Sequence, residues 1–484
     1  MNPKRVPFLL LLAALVLVSV PARAEWRALA RLERQGARVS AVAVDLHTGR
    51  ILEQLDARQR LTPASLTKLV TAAAALDAWS PDMTFQTRLI LSGPVRAGTL
   101  GGDLIVLGAG DPSLDDQSLW QLAAQVRSAG VREVDGGLVI DPLPFGVVGC
   151  GDLDRCAALT RSDNAYNAPL AAFGVDFGNW CVRVRPTVVG TPAQVLGCGV
   201  SHLPIPVLGT IRTVPRRYRQ TFWVERRTGP GGDVLQVGGN IPSGGPQQLY
   251  RAMSDPVRGA GMLLKEVLSE IGVRVHGPVV VRESPAPADP RVLAQVEGLP
   301  VAEQLWRMLQ YSNNYIADVL TLDMASQPGR PDTLVSASQQ LSDFVARVQR
   351  ADPPAVSAPP LYSGSGLSTD NRLSASDLVN LLTYQYHDAR HFPAFYGGLM
   401  VPRDAPFAFL RQGDPAWLDR VAIKTGTLDN PRSVCGIAGY LRTRDGGWIA
   451  FAAIVNGGSR FKHVPLSEAI GAERSDVEAL LQKY

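Results

Sequence analysis

The chain has 484 residues, 46% hydrophobic and 19% charged, with a net charge of +4. That length suits two or three domains and a large buried core, so folding need not lean on disulfides or metals. So slight a charge excess gives no ground for nucleic acid as a partner.

Residues 1–24 read as an export leader. Lys4 and Arg5 give a basic start, Phe8 to Val20 is a mostly apolar run, and Ala22-Arg23-Ala24 supplies the small residues a signal peptidase reads. The run is shorter than the roughly 20 apolar residues a membrane span needs. No cysteine precedes Cys150, so a lipid attachment site is lacking. Cleavage after Ala24 removes Lys4, Arg5 and Arg23 and takes +4 to +1. The expected mature protein is periplasmic, with no membrane span.

Val39 to Leu46 alternates as a strand, and Ile51 to Leu55 returns as a second. Thr62-Pro63 opens a helix that runs to about Trp79 and is apolar on most faces, hence central. From about Ile90 short strands alternate with Gly, Pro and Asp turns: Gly98 to Leu107, Gly137 to Ile140, Trp180 to Arg185 and Val279 to Arg282. Helical patterns interrupt them at Asp116 to Ala129 and Val257 to Ile271. Helical periodicity returns at Val301 to Leu309 and Asn314 to Ala325, broken by Tyr311-Ser312-Asn313. A Pro-rich stretch, Asp352 to Pro360, precedes Ser363-Gly364-Ser365-Gly366. Strands follow at Val421 to Lys424, Ser433 to Leu441 and Trp448 to Val455, then a helix from Ser467 to Gln482.

Only six lysines occur against 42 arginines, and two of them, Lys68 and Lys424, stand in short patterns. A buried lysine can become a neutral base, whereas arginine stays charged. Of the five cysteines, Cys150–Cys156 and Cys181–Cys198 are the favoured pairings among three, since short loops close at least entropic cost. Cys435 stands alone in an apolar strand as a buried thiol. There is no C-x-x-C or H-E-x-x-H and the six histidines are scattered, so neither metal nor other cofactor is expected.

Three patterns occur in order: Ser65-Leu66-Thr67-Lys68 (S-x-x-K), Ser312-Asn313-Asn314 (S-x-N) and Lys424-Thr425-Gly426 (K-T-G). On a helix, i and i+3 share a face, so Lys68 can reach the Ser65 hydroxyl. A serine is a weak nucleophile until a base takes its proton. Lys68 must therefore be neutral, which burial and the Lys424 cation favour. Ser312 is placed to relay a proton between Lys68 and a leaving amine, and Asn314 to hydrogen-bond a substrate amide. Lys424, Thr425, Gly426 and Thr427 offer a strand edge for an extended peptide, its carboxylate near Lys424 and Thr425. The N–H groups of Ser65 and Thr427 would form the oxyanion hole. Each pattern alone is weak; all three in order, each on the element the chemistry needs, are not.

The chain resembles the class C low-molecular-mass penicillin-binding proteins, a family of D-alanyl-D-alanine carboxypeptidases and endopeptidases. Gly108-Ala109-Gly110-Asp111-Pro112-Ser113-Leu114 resembles its G-x-G-D-P-x-L, and Ser365-Gly366-Leu367-Ser368 with Asn371-Arg372 its S-G-L-S-x-x-N-R. Tyr166-Asn167-Ala168-Pro169-Leu170 through Val182 resembles a strand region of its insert, and Lys424 to Leu428 and Val455-Asn456-Gly457 also fit. Ser312 follows Ser65 by 247 residues and Lys424 follows Ser312 by 112, a first gap far longer than β-lactamases have. One departure is Ser363, where such proteins usually carry Asp.

The resemblance implies an α+β fold: a serine β-lactamase/penicillin-binding transpeptidase-like domain, its antiparallel sheet covered by helices on both faces, with a large β-rich insert. Residues 25–90 and 295–484 would form the catalytic domain and 91–294 the insert, as two nested subdomains. It implies hydrolysis of peptidoglycan stem peptides ending in D-Ala-D-Ala, and of their cross-links, through an acyl-Ser65 intermediate, with β-lactams as covalent inhibitors. A β-lactamase is the nearest alternative, but no E-x-x-x-N lies between Ser65 and Ser312, and Ser312 stands where class C β-lactamases carry tyrosine. A non-catalytic wall-binding scaffold and an esterase are further alternatives; the complete motifs weigh against the first and the carboxylate site against the second.

Overall fold

The computed structural model describes residues 26–148, 153–282, 291–326, 333–349 and 357–484. The leader, Cys150 and most of the Pro-rich stretch lie outside them.

Helix α1 (Arg27–Gln35) leads into strands β1 (Arg38–Asp45) and β2 (Ile51–Leu55). A 3₁₀ turn, Ala64–Leu66, runs into helix α2 (Thr67–Ala78). The strand expected over Val39 to Leu46 and the buried central helix are therefore both present. The serine is not: it sits in the tighter turn that precedes the α-helix.

The chain next enters the inserted region through Gln86–Leu91 and leaves it through Val292–Glu297, which pair antiparallel. These two strands belong to a five-stranded sheet with Leu104–Leu107, Leu138–Asp141 and Val279–Val281, in which Val292–Glu297 is one edge. Gly98 to Leu107, expected as one strand, is two: Thr99–Leu100 belongs to another sheet, and Gly101-Gly102 forms the break. Helices α3 (Asp116–Ser128), α4 (Leu153–Arg161) and α5 (Pro256–Glu270) lie in this region. Residues 179–252 form small sheets of their own. The Cys181–Cys198 disulfide staples them. The other expected pair involves Cys150, outside the described residues. Tyr166-Asn167 lies in a 3₁₀ turn, Ala165–Asn167, and the strand expected to start there begins only at Asn179. An Asn164 side chain that accepts from the Tyr166 N–H favours the turn.

Helices α6 (Val301–Gln310), α7 (Asn314–Ala325), α8 (Leu334–Val348), α9 (Ala375–His387), α10 (Phe392–Gly397) and α11 (Pro415–Arg420) follow. Strands β3 (Val421–Leu428), β4 (Val434–Arg442) and β5 (Trp448–Asn456) and helix α12 (Leu466–Lys483) end the chain.

The order β2-β1-β5-β4-β3 makes an antiparallel sheet from the two ends of the sequence. Period-two alternation divides its side chains between two cores. Val42, Ala438 and Ala452 pack with α2, α6, α7, α8 and α9, whereas Val39, Ala41 and Ile437 pack with α1 and α12. This is the α+β sandwich the resemblance implies. Cys435 is a buried thiol that donates to Glu473 Oε2 at 3.2 Å.

Candidate active site

Two residues with side chains occupy the left-handed region at the site: Ala64 (φ 48°), just before the serine, and Ser312 (φ 55°). Such conformations cost energy and persist only where the surroundings enforce them. At Ala64 the enforcement comes from Gly366, itself at φ 76°. A Cβ on Gly366 would stand 1.8 Å from the Ala64 carbonyl oxygen, so this loop closes over the turn only as glycine. Gly426 does the same from the sheet, where a Cβ would meet the Pro63 carbonyl at 2.6 Å and the Ser65 amide nitrogen at 3.2 Å.

In the 3₁₀ turn, residues three apart eclipse, and Lys68 Nζ lies within hydrogen-bonding distance of Ser65 Oγ, at 2.9 Å. The same ammonium-derived group donates to Asn314 Oδ1 and to the Ser365 carbonyl, each at 2.7 Å. Lys68 is fully buried. Burial, and then the Lys424 charge, hold its amine well below ordinary lysine basicity, with Asp318 pulling the other way and Arg155 assisting.

Lys424 reaches across from β3 and donates to Ser312 Oγ at 3.0 Å and to the Thr425 carbonyl at 2.7 Å. Burial lowers its own titration to about 7. The hydrogen-bond partner of Ser312 is thus Lys424. Asn314 is the first residue of α7, and its amide bridges Lys68 to the Tyr166 carbonyl (Nδ2 to O, 3.3 Å).

Strand β3 is an edge of the sheet. Ile423 spends its outward N–H and C=O on Met400 at 2.9 and 2.8 Å. Backbone groups alternate sides along a strand, so those of Thr425 and Thr427 face outward past this cover. They open on a cleft of about 340 Å³ lined also by Ser65, Ser312, Asn314 and Tyr166. All eight residues singled out from the sequence therefore converge here.

Four contributors escaped sequence reasoning. Phe407 and Phe409, stacked with ring centroids 5.7 Å apart, form one apolar wall. Asp318, four residues after Asn314, accepts from the Ser365 N–H at 2.7 Å and is paired with Arg155 of α4. The i, i+4 spacing from Asn314 was the available signal for Asp318; nothing local points to Arg155. Ser363, the departure from the family pattern, is buried and accepts from the Ser368 N–H at 3.2 Å. Asn371 carries the loop, accepting from the Tyr362 N–H at 2.8 Å and donating to the Ser363 carbonyl at 2.8 Å.

A serine–lysine pair at a helix head, opposed by a lysine-bearing strand edge, defines an active-site serine enzyme of the penicillin-binding class. The chain belongs to the D-Ala-D-Ala carboxypeptidase 3 (S13) family, whose model matches residues 26–472. It is 30% identical over 467 residues to a D-alanyl-D-alanine carboxypeptidase of an Actinomadura species, covering 91% of this chain and 82% of that one. It is 25% identical to D-alanyl-D-alanine carboxypeptidase DacB of Haemophilus influenzae, covering 87% and 86%. The crystal structure of penicillin-binding protein 4 from Haemophilus influenzae shares its fold, with a TM-score of 0.73 at 21% identity over 94% of this chain and 99% of that one.

Proposed function

We propose that the protein is a periplasmic serine hydrolase that removes the terminal D-alanine from peptidoglycan stem peptides and also cuts D-Ala cross-links. The observation that carries this is the 2.9 Å contact between Ser65 Oγ and a fully buried Lys68 amine.

Neutral Lys68 takes the Ser65 proton as Oγ attacks the penultimate D-Ala carbonyl. The N–H groups of Ser65 and Thr427 receive the oxyanion. As the C–N bond breaks, the proton that Lys68 took from Ser65 passes through Ser312, which Lys424 holds in place, to the departing D-Ala amine. Water then gives a proton to Lys68 as it adds to the ester carbonyl, and Lys68 returns that proton to Oγ as the Oγ–C bond breaks. The peptide lies along the edge of β3, its carboxylate facing Lys424 and Thr425. An arriving carboxylate favours the charged form of Lys424, so binding itself keeps that cation in place. β-Lactams offer the same carbonyl and carboxylate and acylate Ser65. The catalytic unit runs to Phe85 and resumes at Gly298, so the inserted region is Gln86 to Glu297, slightly longer than the expected 91–294, because its entry and exit strands pair within its own sheet.

Incubation with purified muropeptides, followed by mass analysis, should show loss of one D-alanine and cleavage of cross-linked dimers; unchanged muropeptides would refute the reading. Bound penicillin should leave slowly, whereas rapid turnover would make the protein a β-lactamase. Lys68→Arg keeps the charge but cannot act as a base, and should lose roughly a thousandfold in acylation by fluorescent penicillin. Normal labelling of that variant would remove Lys68 from its role.

A further inference from the structure

The inserted region reaches the catalytic lysine. Arg155 sits on α4 within it and is completely buried. A buried guanidinium is costly unless paired and hydrogen-bonded. Arg155 is both: Nη2 donates to Asp318 Oδ2, and Nη1 to the Ala168 carbonyl at 2.7 Å. Asp318 is equally buried, and its Oδ1 accepts from the Ser365 N–H at 2.7 Å. The carbonyl of that same Ser365 accepts from Lys68 Nζ at 2.7 Å. One residue thus joins the carboxylate to the amine. We propose that Arg155 is a positioning residue: by pairing with Asp318 it cancels the carboxylate that would otherwise face the Lys68 amine, and so the insert completes the catalytic base.

The charges that bear on Lys68 come from three elements: Lys424 on β3, Asp318 on α7 and Arg155 on α4. Arg155 opposes Asp318, and so works with burial and Lys424 to favour the neutral amine. Neighbouring charges are engaged elsewhere. Asp154 accepts from the Thr369 N–H at 2.8 Å, and Arg372 donates to Thr62 Oγ1 and to the Thr369 carbonyl. Asp154 and Arg155 therefore grip the two sides of the site from one helix. Asp154 holds Thr369, the residue that follows the Ser365-Gly366-Leu367-Ser368 loop; Arg155 holds Asp318 and, through Ala168, the turn whose Tyr166 carbonyl accepts from Asn314.

This inference rests on Lys68 being the base. It is tested by the pH profile of acylation by fluorescent penicillin. Arg155→Met leaves Asp318 uncancelled, so the acid limb should move up by about one pH unit, with a rate near wild type recovered at the alkaline end. Asp318→Asn should move it down. The double variant Arg155→Met/Asp318→Asn buries no charge at this position, so it stays foldable where the single change is not, and should return the limb to the wild-type position. A folded Arg155→Met that loses rate equally at every pH, or a double variant whose limb stays displaced, would reduce the pair to a structural staple. The two levels separate cleanly. If Lys68→Arg still acylates, the base assignment falls; if Lys68→Arg is dead and Arg155→Met keeps the wild-type profile, only the present inference falls.

Discussion

Helix α7 buries two carboxylates just over one turn apart, and the inserted region meets both. At Asp318 it supplies a guanidinium, and a backbone N–H completes the set. At Asp323 it supplies neither. Both oxygens of Asp323 are shut off from solvent with no hydrogen-bond partner among the described residues, and they press on Gly110. Asp111 of the same G-x-G-D segment adds a second carboxyl, with Oδ2 also unpartnered and set against Gly298. Burial raises Asp111 to about 6 and Asp323 well above the usual carboxylate range, with Asp111 adding to the latter. The difference is one of pairing. Beside the catalytic lysine the carboxyl is matched to a guanidinium; farther along the same helix Asp323 is buried without a partner among the described residues, which favours its neutral form.

The sharpest way to break this contrast is to truncate each acid. Asp318→Ala leaves Arg155 buried without its counter-ion and should cost about 3–5 kcal/mol of stability. Asp323→Ala removes no charge near neutral pH and should cost about 1 kcal/mol or less. Equal losses in denaturant melts would show that the two acids are not in different states.

Next in size is the close approach that accompanies each junction. Gly366 and Gly110 both have positive φ, 76° and 68°. A Cβ on Gly366 meets backbone, the Ala64 carbonyl, which cannot yield without moving Ser65. On Gly110 it meets the end of the Asp323 side chain, which can rotate. Gly366→Ala should therefore lose roughly a hundredfold in acylation rate, the cost of a displaced reacting group. Gly110→Ala should lose some stability while a folded sample acylates at close to the wild-type rate. A Gly366→Ala enzyme with full activity would mean that the loop does not fix the nucleophile.

Much of this arrangement was legible from the chain, because its signals are local. The run from Leu69 to Leu76 is apolar on every face and forms the central helix, and Val421 to Lys424 forms the edge strand. The eight motif residues converge because each lies on an element whose periodicity is visible in its own neighbours. What was hidden depends on distant partners. Arg155 and Asp318 are 163 positions apart, and the 9 residues of α4 are too few to establish a helical period. Ser312 takes Lys424 as its partner, a choice set by how the sheet meets the break before α7. Helices α8 and α9 went unread although Thr333 and Ser374 open them with capping boxes, since each follows a stretch without periodicity.

The smallest effect is also the one that reads the neutral carboxyls directly. In the unfolded chain aspartates lose their protons near pH 4, whereas folded Asp111 holds its proton to about 6 and Asp323 beyond the ordinary range. Between those limits the folded state binds more protons than the unfolded one, so stability falls as pH rises. The contribution of the pair is complete below about pH 4 and is lost as pH passes through the folded values. Asp323→Asn keeps the shape, cannot ionise, and brings an amide that can donate to the unpartnered Asp111 Oδ2. Its stability margin over the native chain should be nearly nil at pH 4 and widen steadily as pH rises above that. Acylation by penicillin should not change, because Asp323 makes no contact with the Lys68 network. Melting curves for the two proteins that run parallel from pH 4 to 8 would mean that Asp323 is ionised, and the division of labour along α7 would then have to be abandoned.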